Sequence, residues 1–119
     1  MAITMPDGLK LFPAELQAMI DETQRPLVFL DVRPTAEVEQ YPSPFPEAVT
    51  IPLDELEFQW EELAEDDEIV IIDHKGLRGV RALQFLAAKG FERLWMLKGG
   101  LAAWAVAVDP TFPTYEGED

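Results

Sequence analysis

Four short apolar runs alternate with segments in which apolar residues recur every three to four positions. The runs are rich in branched or aromatic side chains and predict buried strands at Leu27–Leu30, Ala48–Ile51, Ile69–Ile72 and Leu94–Leu97. The spacing between them predicts helices at Pro13–Ile20, Leu53–Leu63, Val80–Ala87 and Gly99–Val106. Gly90 is the expected C-terminal cap of the third helix.

Strands that alternate with helices indicate a parallel sheet, because a parallel pair needs a crossover connection. The strands lack a polar face, so helices must cover both faces of the sheet. We therefore expect an α/β domain with three layers, formed by residues 1–119 as a single unit. The segment Glu39–Glu47 contains three prolines and is expected to be an exposed loop, and Gly117–Asp119 a disordered end.

The composition narrows the range of functions. A formal charge of −14 argues against nucleic acid or an anionic membrane as a partner, since both require clustered cations. No apolar run approaches the roughly 20 residues that span a bilayer, and the sequence offers no leader pattern, so we expect a cytoplasmic location. The chain contains no cysteine, which excludes disulfides, thiolate metal sites and thiol nucleophiles. Neither a metal nor a cofactor is expected.

The turn that follows the third apolar run is the candidate site. It reads Asp73, His74, Lys75, Gly76, Leu77, Arg78, and it leads from a predicted strand into a predicted helix. Ligands of open α/β sheets lie at such carboxyl ends of strands. A loop that bends around Gly76 can turn several N–H groups inward, and the helix N-terminus adds partial positive charge. The pattern indicates an anion cradle, although an ordinary strand-to-helix turn can contain the same residue types.

From about Leu9 to Asp109 the chain resembles a rhodanese-like domain. LVFLDVRPTAEVE resembles the entry strand of that family, AVTIPLDEL its second strand, and IVIIDHKGLRGVRALQFLAAKGFERLWMLKGGLAAW its active-site and closing region. The ending VDPTFPTY resembles the rhodanese domain of molybdopterin-synthase sulfurylases. Residues 110–119 are interpreted as an acidic C-terminal tail beyond the resemblance.

The resemblance implies a sulfurtransferase fold in which the first loop residue is a cysteine that accepts a sulfane sulfur. Here that position is Asp73, and a carboxylate cannot form a persulfide. Thiol-based sulfur transfer is therefore not expected. A carboxylate shares the negative charge of a thiolate, so the amides of the cradle are expected to hold Asp73 and to favour its ionised form.

The resemblance also suggests roles for the side chains near the loop. It implies an ion pair between Arg78 and Asp31, with Arg33 supporting the scaffold. His74 is expected to face solvent, because adjacent side chains on a tight loop usually diverge, and a lone histidine makes a metal site improbable. Lys75 is a candidate member of a basic rim around the loop.

Three functional hypotheses remain open from the sequence. The leading one is a non-catalytic rhodanese-like domain that serves as a binding or regulatory module, with a protein partner such as a sulfur carrier or a sulfur-transfer enzyme. The alternative is an enzyme with altered, non-thiol chemistry on a small anionic substrate at the loop from Asp73 to Arg78. The third is that Asp73 replaces a working cysteine through a change particular to this sequence.

Overall fold

The computed structural model describes residues 9–22 and 24–116. In this part of the chain, strands and helices alternate as the hydrophobic pattern predicts. The strands are β1 (Lys10–Leu11), β2 (Val28–Asp31), β3 (Val49–Thr50), β4 (Ile69–Ile72) and β5 (Leu94–Leu97). The helices are α1 (Pro13–Glu22), α2 (Thr35–Gln40), α3 (Leu53–Gln59), α4 (Leu77–Ala88) and α5 (Gly100–Ala107). A 3-10 turn, Trp60–Glu62, extends α3.

The described strands form one parallel sheet in the order β1-β5-β4-β2-β3. The central strand β4 is buried along its whole length, which explains its unbroken apolar sequence. Its side chains alternate between the two faces: Ile69 and Ile71 belong to one core cluster, and Val70 and Ile72 to the other.

Helices cover both faces of the sheet. On one side α3 and α4 contribute Leu56, Leu83 and Leu86 to the core. On the other side α1 and α5 contribute Leu16 and Leu101. The predicted three-layer α/β architecture is thus confirmed, and two elements that the pattern did not predict, β1 and α2, complete it.

The expectation of an exposed loop at Glu39–Glu47 is wrong in two respects. Its first two residues end α2, and Phe45 is buried, with its ring stacked on Phe29 at a centroid distance of 4.7 Å. Proline prevents regular structure here, but it does not stop an aromatic side chain of an irregular segment from packing inward. The expected disorder of 117–119 lies outside the described residues.

Candidate functional site

The loop from Asp73 to Arg78 joins the end of β4 to α4, between the carboxyl ends of β2 and β5. The first turn of α5 fixes its position: the Leu101 N–H donates to the Asp73 carbonyl at 2.7 Å, and the Ala102 N–H to the His74 carbonyl at 2.9 Å. Gly100 permits this approach, because a Cβ there would lie 2.4 Å from the His74 carbonyl oxygen. The loop backbone is therefore held by the fold.

The Asp73 side chain is buried at the base of this loop, with 1% of its surface exposed. Its Oδ1 accepts hydrogen bonds from the His74 N–H at 2.7 Å and from Arg78 Nε at 2.9 Å, and its Oδ2 accepts one from the Gly79 N–H at 2.9 Å. Backbone amides thus bind the carboxylate, as expected from the sequence.

The expected ion pair between Arg78 and Asp31 is wrong. Asp31 pairs with Arg33, with 2.7 Å between Arg33 Nη2 and Asp31 Oδ2 and both side chains fully buried. Arg33 lies two residues after Asp31, so its guanidinium reaches the carboxylate while its own N–H also donates to Oδ1 at 3.1 Å. Arg78 contacts Asp73 and, through Nη2 at 3.2 Å, Glu37 of α2.

Tyr115 connects the ion pair of Asp31 and Arg33 to Glu37, the partner of Arg78. The sequence did not assign Tyr115 to the site. Its hydroxyl donates to Glu37 Oε2 at 2.6 Å and accepts from Arg33 Nη1 at 2.9 Å. Burial and the bond to Glu37 raise the pKa of Tyr115 above its usual value of 10.0. Burial alone would raise the pKa of Glu37, but the bonds from Tyr115 and Arg78 outweigh it and lower that pKa. Tyr115 therefore stays protonated beside an ionised Glu37.

The expectation that His74 faces solvent is also wrong. Only 1% of its surface is exposed, and its ring stacks on that of Tyr115 at 3.9 Å with 7° between the planes. The other face of Tyr115 stacks on Tyr41 at 3.9 Å and 6°. Burial lowers the pKa of His74 below 6.5. The ring of Tyr115 covers His74 and belongs to a segment distant in sequence, so local loop geometry does not reveal this burial.

The chain beyond Asp109 is therefore part of the domain as far as the structure describes it. Phe112 is 7% exposed and joins the core beside α1 and α5, and Tyr115 covers His74. Residues 110–119 were interpreted as an acidic C-terminal tail beyond the resemblance, and the described part of this segment, 110–116, packs against the domain through Phe112 and Tyr115. The only signal was the aromatic and proline spacing in VDPTFPTY, which is unusual for a solvated acidic end.

The remaining loop residues differ in exposure. Lys75 and Leu77 lie at the surface, and 69% of the Leu77 side chain is exposed, whereas Gly76 is buried and adopts a φ of +107° that favours glycine. The loop thus presents a cationic and an apolar side chain outward while its anionic side chain is enclosed. No helix in the described ranges is long and apolar enough to cross a bilayer.

The parallel sheet in the order β1-β5-β4-β2-β3, with helices on both faces and a loop around Gly76 after its central strand, is an α/β fold. The family model of the rhodanese-like domain matches residues 12–107. The chain belongs to the rhodanese-like domain family.

Relatives of known description agree with this assignment. The chain is 31% identical over 129 residues to the adenylyltransferase and sulfurtransferase MOCS3 of Arabidopsis thaliana, with 90% of this chain and 27% of that protein covered. It is 37% identical over 84 residues to a putative sulfur carrier protein, YrkF, of Bacillus subtilis, with 70% of this chain and 44% of that protein covered. The chain spans about a quarter of the length of the MOCS3 relatives it matches.

The fold itself has solved counterparts. A rhodanese-related protein from Thermoplasma volcanium superposes with a TM-score of 0.70 at 25% identity, with 87% of this chain and 94% of that one covered. The match covers most of both chains, so the rhodanese-related protein shares the three-layer fold.

Proposed function

We propose that this chain is a non-catalytic rhodanese-like domain that acts as a binding or regulatory module. The observation that carries the proposal is the state of Asp73, which stands at the loop position where the resemblance places a sulfur-accepting cysteine. Both carboxylate oxygens accept hydrogen bonds, from two backbone amides and from Arg78. The chain has no cysteine that could replace it. The carboxylate of Asp73 therefore occupies the cradle that its own loop forms.

The relatives support a partner from sulfur-transfer chemistry. MOCS3 is described as a sulfurtransferase and YrkF as a putative sulfur carrier protein. The similarity to each covers most of this chain. We propose a protein partner of that kind in the cytoplasm. The surface that remains at the loop, with exposed Lys75 and Leu77, is the part of the site that such a partner can contact.

The burial of the loop carboxylate argues against an enzyme with altered chemistry. A nucleophile or general base needs an oxygen that can reach a substrate, whereas Asp73 is 1% exposed and bonded through both oxygens. The adjacent His74 is enclosed by Tyr115. Neither side chain is available to a small substrate in this conformation.

A thiosulfate:cyanide sulfur-transfer assay tests the proposal. The native protein should be inactive, because it has no thiol to carry sulfur, and it should gain no sulfur mass after incubation with thiosulfate. Asp73→Cys places a thiol among the same N–H donors and should gain activity if the rest of the loop is still competent. Glu22→Cys, which adds a thiol at an exposed position at the end of α1, is the matched control and should be inactive.

Sulfur transfer by the native protein, or a sulfur adduct on it by intact-mass spectrometry, would overturn the proposal. Activity of Asp73→Cys alone would identify the nucleophile as the missing part. Inactivity of all three proteins would mean that the loop has lost further features of a sulfurtransferase, and the non-catalytic assignment would stand.

A further inference from the structure

A groove between α3 and α4 is separate from the buried carboxylate of the loop. It consists of two adjoining cavities of about 450 and 350 Å³, which share Leu53, Asp54 and Arg81 as lining residues. The larger cavity opens at the carboxyl ends of β2 and β3, the edge at which open α/β sheets bind ligands. Its size lies within the range of small-molecule sites. Asp73 does not line either cavity.

The lining of the groove is apolar at its base and charged on both sides. Val32 and Leu56 are buried core residues, and Leu53 lies between the two cavities. On the α4 side stands the guanidinium of Arg81. On the α3 side stand three acidic residues, Asp54, Glu55 and Glu57.

The two arginines that line the groove differ in whether they form ion pairs. Arg78 is held by Asp73 and Glu37. Arg81 is exposed and makes no hydrogen bond or ion pair within the described part of the chain. In a protein with a formal charge of −14, a cation without an acidic partner beside a cavity is available to an anionic group of a ligand.

The opposite charges across the groove restrict the kind of ligand. A simple anion at Arg81 would also approach the carboxylates of Asp54 and Glu55, and a simple cation at those carboxylates would approach Arg81. A zwitterion with an apolar body can pair with the charges on both sides of the groove and contact its apolar base. We propose that the groove binds a small zwitterionic ligand of dipeptide size, with its carboxylate at Arg81, its ammonium at Asp54 and its apolar side chains against Leu53.

Amide NMR titration with three related probes tests this assignment. L-leucyl-L-leucine carries both charges, its N-acetyl derivative only the anion, and its C-terminal amide only the cation. The dipeptide should shift the amide signals of Leu53, Asp54 and Arg81 saturably, with a Kd below about 1 mM. Each derivative should bind at least about tenfold more weakly, because it loses a hydrogen-bonded charge.

Two variants of equal charge change provide the control. Arg81→Gln should weaken dipeptide binding at least about tenfold, whereas Arg93→Gln, outside the groove, should leave it within about twofold. Both variants should be checked for native thermal stability. The absence of saturable shifts, equal binding of the N-acetyl derivative, or equal losses in the two variants would each overturn the proposal. The two tests remain distinguishable, because dipeptide binding needs no thiol and Asp73 lines neither cavity, although Arg78 both lines the larger one and contacts Asp73.

Discussion

Replacement of Tyr115 should destabilise the domain, although the residue lies in a segment that the sequence marks as an acidic end. Its hydroxyl binds Glu37 at 2.6 Å and Arg33 at 2.9 Å, and its ring lies between those of His74 and Tyr41 at 3.9 Å from each. Tyr115→Phe removes only the hydroxyl bonds. Tyr115→Ala removes the stacked contacts as well.

The size of each effect follows from these contacts. Hydrogen bonds to charged groups contribute about 1.5–3 kcal/mol each, but Glu37 keeps Arg78 and Arg33 keeps Asp31, so we expect a loss of about 1–2 kcal/mol for Tyr115→Phe. Two aromatic contacts add about 0.5–1.5 kcal/mol each beyond area burial, which brings the expected loss for Tyr115→Ala to about 2–5 kcal/mol.

Urea unfolding of the two variants measures these losses. Tyr41→Phe is the matched control, because within the described residues its hydroxyl bonds only to Gln40, at 3.3 Å on an exposed side, and the variant should stay within about 0.5 kcal/mol of the native protein. The pKa of His74 should also rise toward 6.5 in Tyr115→Ala, since its ring becomes hydrated. A Tyr115→Ala loss below about 0.5 kcal/mol, or a Tyr41→Phe loss equal to that of Tyr115→Phe, would refute the reasoning.

Two further predictions concern the support of the loop. Burial lowers the pKa of His74 below 6.5, so the unfolded chain binds more protons than the native state, and stability should fall as the pH drops from 7.5 to 5.5. Urea midpoints of the native protein and His74→Asn across this window check this; equal slopes would contradict it. Gly100→Ala should destabilise the domain by about 2 kcal/mol more than Gly90→Ala in thermal unfolding, because the new Cβ meets the His74 backbone rather than the flexible Glu65 side chain. Equal losses would show that backbone contact is not the cause.

The sheet and most helices could be predicted because their signals are local. Ile69–Ile72 is apolar on both faces, so it had to be a central strand, and the three-to-four spacing before Gly90 required a helix against the sheet. The short elements β1 and α2 escaped notice. A two-residue strand and a helix without a buried residue have no hydrophobic period to detect.

The loop amides around Asp73 could also be foreseen, since the carboxylate and its backbone donors lie within six residues. The partners of Arg78 could not be foreseen from the sequence. Its bond to Glu37 joins positions 41 residues apart, and which of several nearby carboxylates it meets depends on how α2 packs.

The sequence by itself determined the class of fold and the absence of a thiol, because strand burial, helix periodicity and residue identity are properties of short segments. Only the tertiary structure decided that Tyr115 covers His74 and bonds to Glu37, 78 residues earlier in the chain. Contacts between such distant segments are selected by the packing of the whole domain, which the local pattern of side chains does not encode.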